Sequence, residues 1–404
     1  MSLATRLTTL AKPSGTPWRP ERIIALDIAR FLALIGMFAE HLLTTRHPGP
    51  FQEVVTGFPS TMFAVLGGVS VAITTRSLLT AGRPLAACVS VAVRGLIIAV
   101  IGLVLGAVPL IIVMVLAYYG VALVAVAFVL WLPTAVLVIM AAVLTVAGPH
   151  LILWARTTSP DGPVASPSFE NPHDFLQTVF FTGFYPAITW ITYLLIGLCA
   201  GRMLISGRRL AAVAVLIPGA VMAAAGFASD LLSRPAIVSA LESVGMPSDT
   251  AGELVISQGY GTPLGAGWLA VLNATPHTGT TADVLRTAGT ALVVLALLIL
   301  ILQRDSRPLA LPVRVIAHAG SAPLTLYLGH FFGFYAVLGL SVLTKTEWLV
   351  TGPNAFVLHV LAALAIGAYL HATVAATVLV VTTPPIKAAM QKKTGPRTAR
   401  SCGT

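Results

Sequence analysis

Residues 23–45 read IIALDIARFLALIGMFAEHLLTT, an apolar stretch long enough to cross a bilayer. Inside it stand Asp27, Arg30, Glu40 and His41. Each ionisable group at membrane depth costs roughly 2.5 to 3.5 kcal/mol on insertion scales, so such groups face a polar interior, where they pair or act on a ligand. The segment is therefore predicted to be a membrane helix and part of a site at once.

The rest of the 404-residue chain has the same character, with 57% hydrophobic and only 9% charged residues, where a soluble domain averages about 25% charged. Apolar runs of about 20 residues are predicted as spans at 23–45, 59–79, 86–107, 109–131, 133–155, 184–204, 209–229, 283–303, 317–343 and 355–382. The expected fold is all-α, a polytopic integral membrane helix bundle of about ten transmembrane helices (ten or eleven). The formal charge of +10 sits in short segments between apolar runs. That is the pattern of cytoplasmic loops, so nucleic acid is not expected as a partner.

With the basic N-terminal segment inside, Arg76, Arg83, Arg202, Arg208, Arg209, Arg304, Arg307, Arg314 and the basic tail share its side. Arg46, Arg156, Arg234, Arg286 and Lys345 fall at or beyond the outer boundary. Both termini are predicted cytoplasmic, with a basic segment at 1–22, a transmembrane domain at 23–386 and a basic tail at 387–404. Cys88, Cys199 and Cys402 have no spacing suited to a metal site or disulfide framework, and no metal is predicted.

Asp27 and Arg30 are three residues apart and share one helix face, either as a structural pair or as part of a site. Arg30 with Arg94, and Arg22 beside them, can line a pocket that accepts phosphates, since guanidinium is a forked, permanent donor set. Glu40 and His41 lie roughly 15 to 17 Å further along the helix axis, with His47 in the outer loop that follows. A neutral imidazole can take a proton from an attacking hydroxyl or amine, and a neighbouring carboxylate fixes its tautomer. Glu40, His41 and His47 are the catalytic candidates; for His41 alone, a histidine satisfied by a carbonyl is the alternative.

The outer loops 46–58, 156–183 and 230–282 carry further candidates. The second is rich in Pro, Ser and Asp; the third is predicted to hold a short amphipathic helix, RPAIVSALESVG (234–245), and an apolar segment, 264–274, too short to span. In its end, Pro276-His277-Thr278-Gly279-Thr280-Thr281, a threonine ahead of Asp283 looks like a helix N-cap near an anion or oxyanion. His277 and Thr278 are candidate substrate contacts. His330, in SAPLTLYLGHFF with Tyr327 at i−3, is a further one, or a helix-to-helix hydrogen bond.

The run RIIALDIARFLALIGMFAEHLL resembles the opening of the heparan-alpha-glucosaminide N-acetyltransferase catalytic-domain family and its bacterial YeiB-like relatives. Phe58-Pro59-Ser60-Thr61-Met62-Phe63 leading to Gly67-Gly68-Val69-Ser70, then Tyr118-Tyr119-Gly120-Val121-Ala122, are similar to later motifs in order. Gly183-Phe184-Tyr185-Pro186 through Trp190, Tyr193, Gly197 and Gly201-Arg202, and finally Ser321-Ala322-Pro323-Leu324-Thr325-Leu326-Tyr327-Leu328, continue the resemblance to about residue 335.

The resemblance implies a multi-pass acyltransferase of the cytoplasmic membrane that takes an acyl group, with acetyl the expected one, from cytosolic acyl-CoA (acetyl-CoA) to a saccharide or glycolipid of the cell envelope at the outer face. It implies an outer-loop histidine, best matched by His47, in catalysis; on the reading of the residues, Asp27, Arg30, Arg94 and Tyr119 are the candidate donor contacts, and Tyr185, Trp190, His277, Thr278 and His330 the candidate substrate contacts. A homodimer is compatible with it. The contrasting expectation is a proton-coupled transporter or flippase of an envelope lipid or small molecule, because intramembrane carboxylate and histidine pairs also carry proton relays.

Overall fold

The computed structural model describes residues 24–43, 56–107, 113–158, 172–206, 209–257, 259–264, 268–302, 309–345 and 350–382. Among them the chain forms thirteen α-helices and no strand. In chain order these are α1 (Ile24–Leu43), α2 (Phe58–Thr80), α3 (Pro84–Gly106), α4 (Leu116–Ala127), α5 (Thr134–Thr158), α6 (Pro172–Gln177) and α7 (Ala187–Leu204). They continue with α8 (Arg209–Ser243), α9 (Ser248–Ile256), α10 (Thr281–Leu302), α11 (Leu311–Gly320), α12 (Pro323–Thr344) and α13 (Pro353–Thr382).

Eight of them, α2, α3, α5, α7, α8, α10, α12 and α13, are long and apolar enough to cross a bilayer. The 20-residue α1 has the length as well and is set apart by its charged residues. The chain is a multi-pass helical membrane protein. Leu96, Val100 and Val104 on α3 and Ile139, Val143 and Val146 on α5 are at least half exposed, as side chains solvated by lipid rather than water.

Helix directions follow from where small residues let backbones meet. Gly197 and Gly201 of α7 lie against the backbones of Val65 and Val69, so α2 and α7 run parallel. Gly95 and Gly102 of α3 meet Gly120 and Ala117 of α4, and Gly219 and Gly226 of α8 meet Leu292 and Arg286 of α10, both pairs antiparallel. Gly36 of α1 sits under the Pro59 ring of α2. These directions are the ones that successive crossings from α1 to α13 demand, with α11 and α12 sharing one crossing.

The structure differs from the sequence expectation in three places. Among its described residues, the span expected at 109–131 holds only the 12-residue α4, roughly 18 Å long. The span expected at 317–343 is two helices, α11 and α12, parted at Ser321–Ala322, because Pro323 has no N–H to continue the ladder and disfavours helix in the residue before it. The amphipathic helix expected at 234–245 is the end of α8, which runs unbroken past Asp230 to Ser243. Asp230 and Arg234 pair at i and i+4, a charge pattern a helix accommodates. In the segment 264–274, the residues Trp268–Val271 form a 3-10 turn. Asn273 Nδ2 and the Ala274 amide donate to Asp230 at 2.7 and 2.8 Å, so the end of this segment is tied to α8.

Two apolar clusters fill the bundle. One joins α2, α4, α7 and α10; the other joins α1, α12 and the residues before α4. The candidate site lies on their seam.

Candidate active site

A cavity of about 520 Å³ follows that seam, bounded by α1, α2, α3, α4, α7 and α12. Helix register puts Arg30, Ser70, Ser90 and Arg94 towards one end and Met37, Ser60, Phe63 and Trp190 towards the other, with apolar side chains such as Ile98 and Leu123 between. Arg30 Nη1 donates to Asp27 Oδ1 at 2.9 Å, and its other amino group reaches the Ser70 hydroxyl. Ser70 in turn donates to the Leu66 carbonyl, so the Arg30 fork is aimed by two helices. Tyr119 lines the wall, and its hydroxyl occupies the space a side chain on Gly67 would take. Two guanidinium groups facing one apolar cavity suit a ligand that is anionic at one end and uncharged along its length.

Beyond Trp190 lies a second, much smaller hollow of about 20 Å³, lined by Thr61, Tyr185, Thr189, Trp190, Tyr193, His277 and Asp283. Its chemistry is carried by Glu40 and His277, whose Oε1 and Nε2 are 2.8 Å apart. His277 has φ 60°, the left-handed region that costs a side-chain-bearing residue of order 1 kcal/mol or more. The loop holds it there. Thr280 caps α10 by accepting the Asp283 amide, Asp283 accepts the Gly279 amide, and Gly57 packs against Pro276 and His277 while its amide points to Glu40. The expected N-cap is present, but Asp283 takes up the Gly279 N–H.

Burial pulls the His277 imidazole down, yet the Glu40 carboxylate, through charge and hydrogen bond, more than reverses this, so its pKa stands above the ordinary histidine value. A carboxylate that accepts Nε2–H leaves Nδ1 as the basic nitrogen of the neutral ring. The Tyr185 ring meets His277 edge to face at 5.3 Å. Burial first, with the Glu40 charge adding to it, keeps the Tyr185 phenol protonated far above its usual range.

The remaining candidates fall as follows. His41 is not the partner of Glu40; its Nδ1 lies 3.1 Å from His330 Nε2 on α12. Phe38 stacks on His330 at 4.2 Å and His359 meets its edge at 4.8 Å, so His330 belongs to an intramembrane aromatic stack. Tyr327 does not bond His330 but donates to Met114 Sδ at 3.4 Å. Thr278 is fully buried with its hydroxyl on the Thr275 carbonyl and lines neither hollow. His47 lies outside the described residues. Among the described residues no three His, Cys, Asp or Glu side chains are grouped to hold a metal ion. Ser60, Ser70 and Ser90 were not singled out by sequence reasoning, because a serine in an apolar run carries no periodic signal of its own.

Comparison with curated proteins finds no match. A model of the family described as "Heparan-alpha-glucosaminide N-acetyltransferase, catalytic" matches residues 22–229, more than half of the chain. That region contains Arg30, Glu40, Arg94 and Trp190; His277 and His330 come from the part of the chain after it. The chain belongs to this family of transmembrane acetyltransferases.

Proposed function

We propose that this member of the family transfers an acetyl group from acetyl-CoA, bound from the cytosol, to a saccharide or glycolipid at the opposite face. The observation that carries the reading is the arginine-ended cavity that stops at Trp190, with the Glu40–His277 pair immediately beyond. Acyl-CoA fits its residues: Arg30 and Arg94 suit the phosphates, the apolar walls suit the uncharged arm, and the thioester then lies at the Trp190 end. The distribution of basic residues in the sequence favours the Arg30 end as the cytosolic one.

In this mechanism the acceptor hydroxyl or amine gives its proton to His277 Nδ1 as it attacks the thioester carbonyl. Glu40 stabilises the imidazolium that forms. Collapse of the tetrahedral intermediate breaks the C–S bond, and the imidazolium returns the proton to the departing CoA thiolate. His47 stands as the second candidate base, in the outer loop after α1.

The test is turnover. Protein purified in detergent is incubated with acetyl-CoA labelled in the acetyl group and a panel of hexosamine- and hexose-ended saccharides. The expected result is free CoA thiol in step with label on an acceptor. The intramembrane stack of His41, His330 and His359 favours a second reading, proton-coupled transport. No turnover together with pH-gradient-driven flux into vesicles supports that reading instead.

A further inference from the structure

Trp190 is common to the linings of the large cavity and the small hollow. It is 4% exposed and held on three sides: Tyr119 at 6.2 Å, Tyr185 at 6.0 Å and Tyr193 at 6.3 Å, each edge to face or steeply inclined. Tyr119 belongs to the cavity wall, Tyr185 and Tyr193 to the hollow, and Tyr185 touches His277. The indole is thus a wall between the two spaces, braced from both of them. On α2 the same boundary falls between consecutive residues, Ser60 facing the cavity and Thr61 the hollow.

We infer that Trp190 sets the length of the acyl group this protein transfers, admitting two carbons and excluding longer chains. The inference rests on the proposed donor site: with phosphates at Arg30 and Arg94, the arm of CoA takes up the cavity and the thioester carbonyl arrives at the indole. The acyl end then points into a hollow of about 20 Å³. That is room for about one water-sized group, which a methyl matches. Each further methylene has to displace an indole that three tyrosine rings hold in place. His277 lines the hollow that receives the acyl end.

The experiment is a donor series of acetyl-, propionyl-, butyryl- and hexanoyl-CoA, read as kcat/KM for thiol release by the wild type, Trp190→Phe and Trp190→Ala. One methylene against a fixed wall changes kcat/KM about 10- to 200-fold. The wild type is expected to lose at least about tenfold from acetyl to butyryl. Trp190→Phe retains most of that preference, and Trp190→Ala brings the two donors within about threefold of each other, whatever the absolute rate. Trp190→Leu serves the same end if the alanine variant does not insert.

A wild type that uses hexanoyl-CoA as well as acetyl-CoA overturns the inference while leaving the proposed function standing. So does an active Trp190→Ala or Trp190→Leu with unchanged preference. A wild type that turns over none of the four donors refutes the proposed function, and this inference falls with it.

Discussion

Glu40 and His277 are 237 positions apart in the chain and 2.8 Å apart in space, one on a membrane helix and the other in a loop held by its own threonines. Their side chains are 10% and 3% exposed, so the pair is shielded from water and its geometry is fixed by α1 and the 276–279 loop together. A carboxylate–imidazole pair of this kind contributes typically 10²- to 10⁴-fold to a proton-transfer step. Glu40→Gln and His277→Gln are each expected to lower kcat at least about 100-fold, with KM for acetyl-CoA changed by less than about threefold. The check is steady-state thiol release, with membrane insertion confirmed by size-exclusion chromatography. Wild-type kcat in His277→Gln removes His277 from the chemistry and leaves His47 to supply the base.

The same pair predicts a pH profile. The raised pKa of His277 means that its protonated form persists above about 6.5, the unperturbed histidine value. A base must be neutral to act, so kcat is expected to rise with pH through that raised value. Stability runs the opposite way: the contribution from the charged pair is complete below the unfolded histidine pKa and is lost as pH rises through the folded one. Glu40→Gln removes the group that lifts His277, so the limb of residual activity moves to lower pH. A rate profile between pH 5 and 9 on both proteins reads this, and an unmoved limb in the variant contradicts the pairing.

Arg30 and Arg94 face the same cavity from α1 and α3. A hydrogen bond to a charged group is worth about 1.5 to 3 kcal/mol, which corresponds to about tenfold or more in affinity. Arg30→Gln and Arg94→Gln are each expected to raise KM for acetyl-CoA about tenfold with a smaller effect on kcat. Arg30→Lys recovers little, because an ammonium cannot serve Asp27, Ser70 and a phosphate with one fork. Titration of acetyl-CoA by isothermal calorimetry gives the same comparison without turnover.

The sequence made one half of this site legible and hid the other. Asp27, Arg30, Glu40 and His41 stood out because charge inside an apolar run has an energetic cost that demands a reason, and the Asp27–Arg30 spacing pointed directly at the pair that forms. His277 stood out as a candidate substrate contact, but not as the partner of Glu40. Residues 276–279 have no periodicity, His277 adopts a left-handed conformation that its residue type does not announce, and a loop meets α1 only through tertiary folding. The same limit applies to His41, whose partner His330 lies on a helix 289 positions away. Span positions were legible from hydropathy, whereas the α11–α12 break needed Pro323 to be weighed against its apolar surroundings, and the length of α8 needed Asp230 and Arg234 to be read as a helical pair.

Helix packing offers a test apart from the chemistry. A Cβ on Gly197 would sit 1.9 Å from the Val65 carbonyl oxygen, a backbone atom that cannot swing aside. Gly339 on α12 has open space around the same position. Gly197→Ala is therefore expected to push α7 from α2 and lower the thermal midpoint in detergent by several degrees, with loss of activity. Gly339→Ala leaves the midpoint unchanged or raises it, since glycine inside a helix is less favourable than alanine by about 0.8 to 1.0 kcal/mol. Equal midpoints for the two variants contradict the close α2–α7 approach.

His330 decides what His41 can do. Its ring is 5% exposed, and among the described residues its Nδ1 has no hydrogen-bond partner. A buried N–H left without an acceptor is costlier than a buried lone pair left without a donor, since a carbonyl-like acceptor has other weak contacts to draw on and an N–H does not. Nδ1 is therefore the lone-pair nitrogen, and Nε2–H donates to His41 Nδ1, which fixes the proton of neutral His41 on its own Nε2. In that tautomer the free ring position of His41 is an N–H and not a lone pair, and we propose that it donates towards the developing oxyanion rather than acting as the base. His330→Leu frees the tautomer and is expected to lower kcat about tenfold with KM for acetyl-CoA unchanged. His330→Gln, which keeps an N–H in nearly the same place, restores the rate to within about threefold. A leucine variant as active as the wild type means that His41 has no part in the reaction.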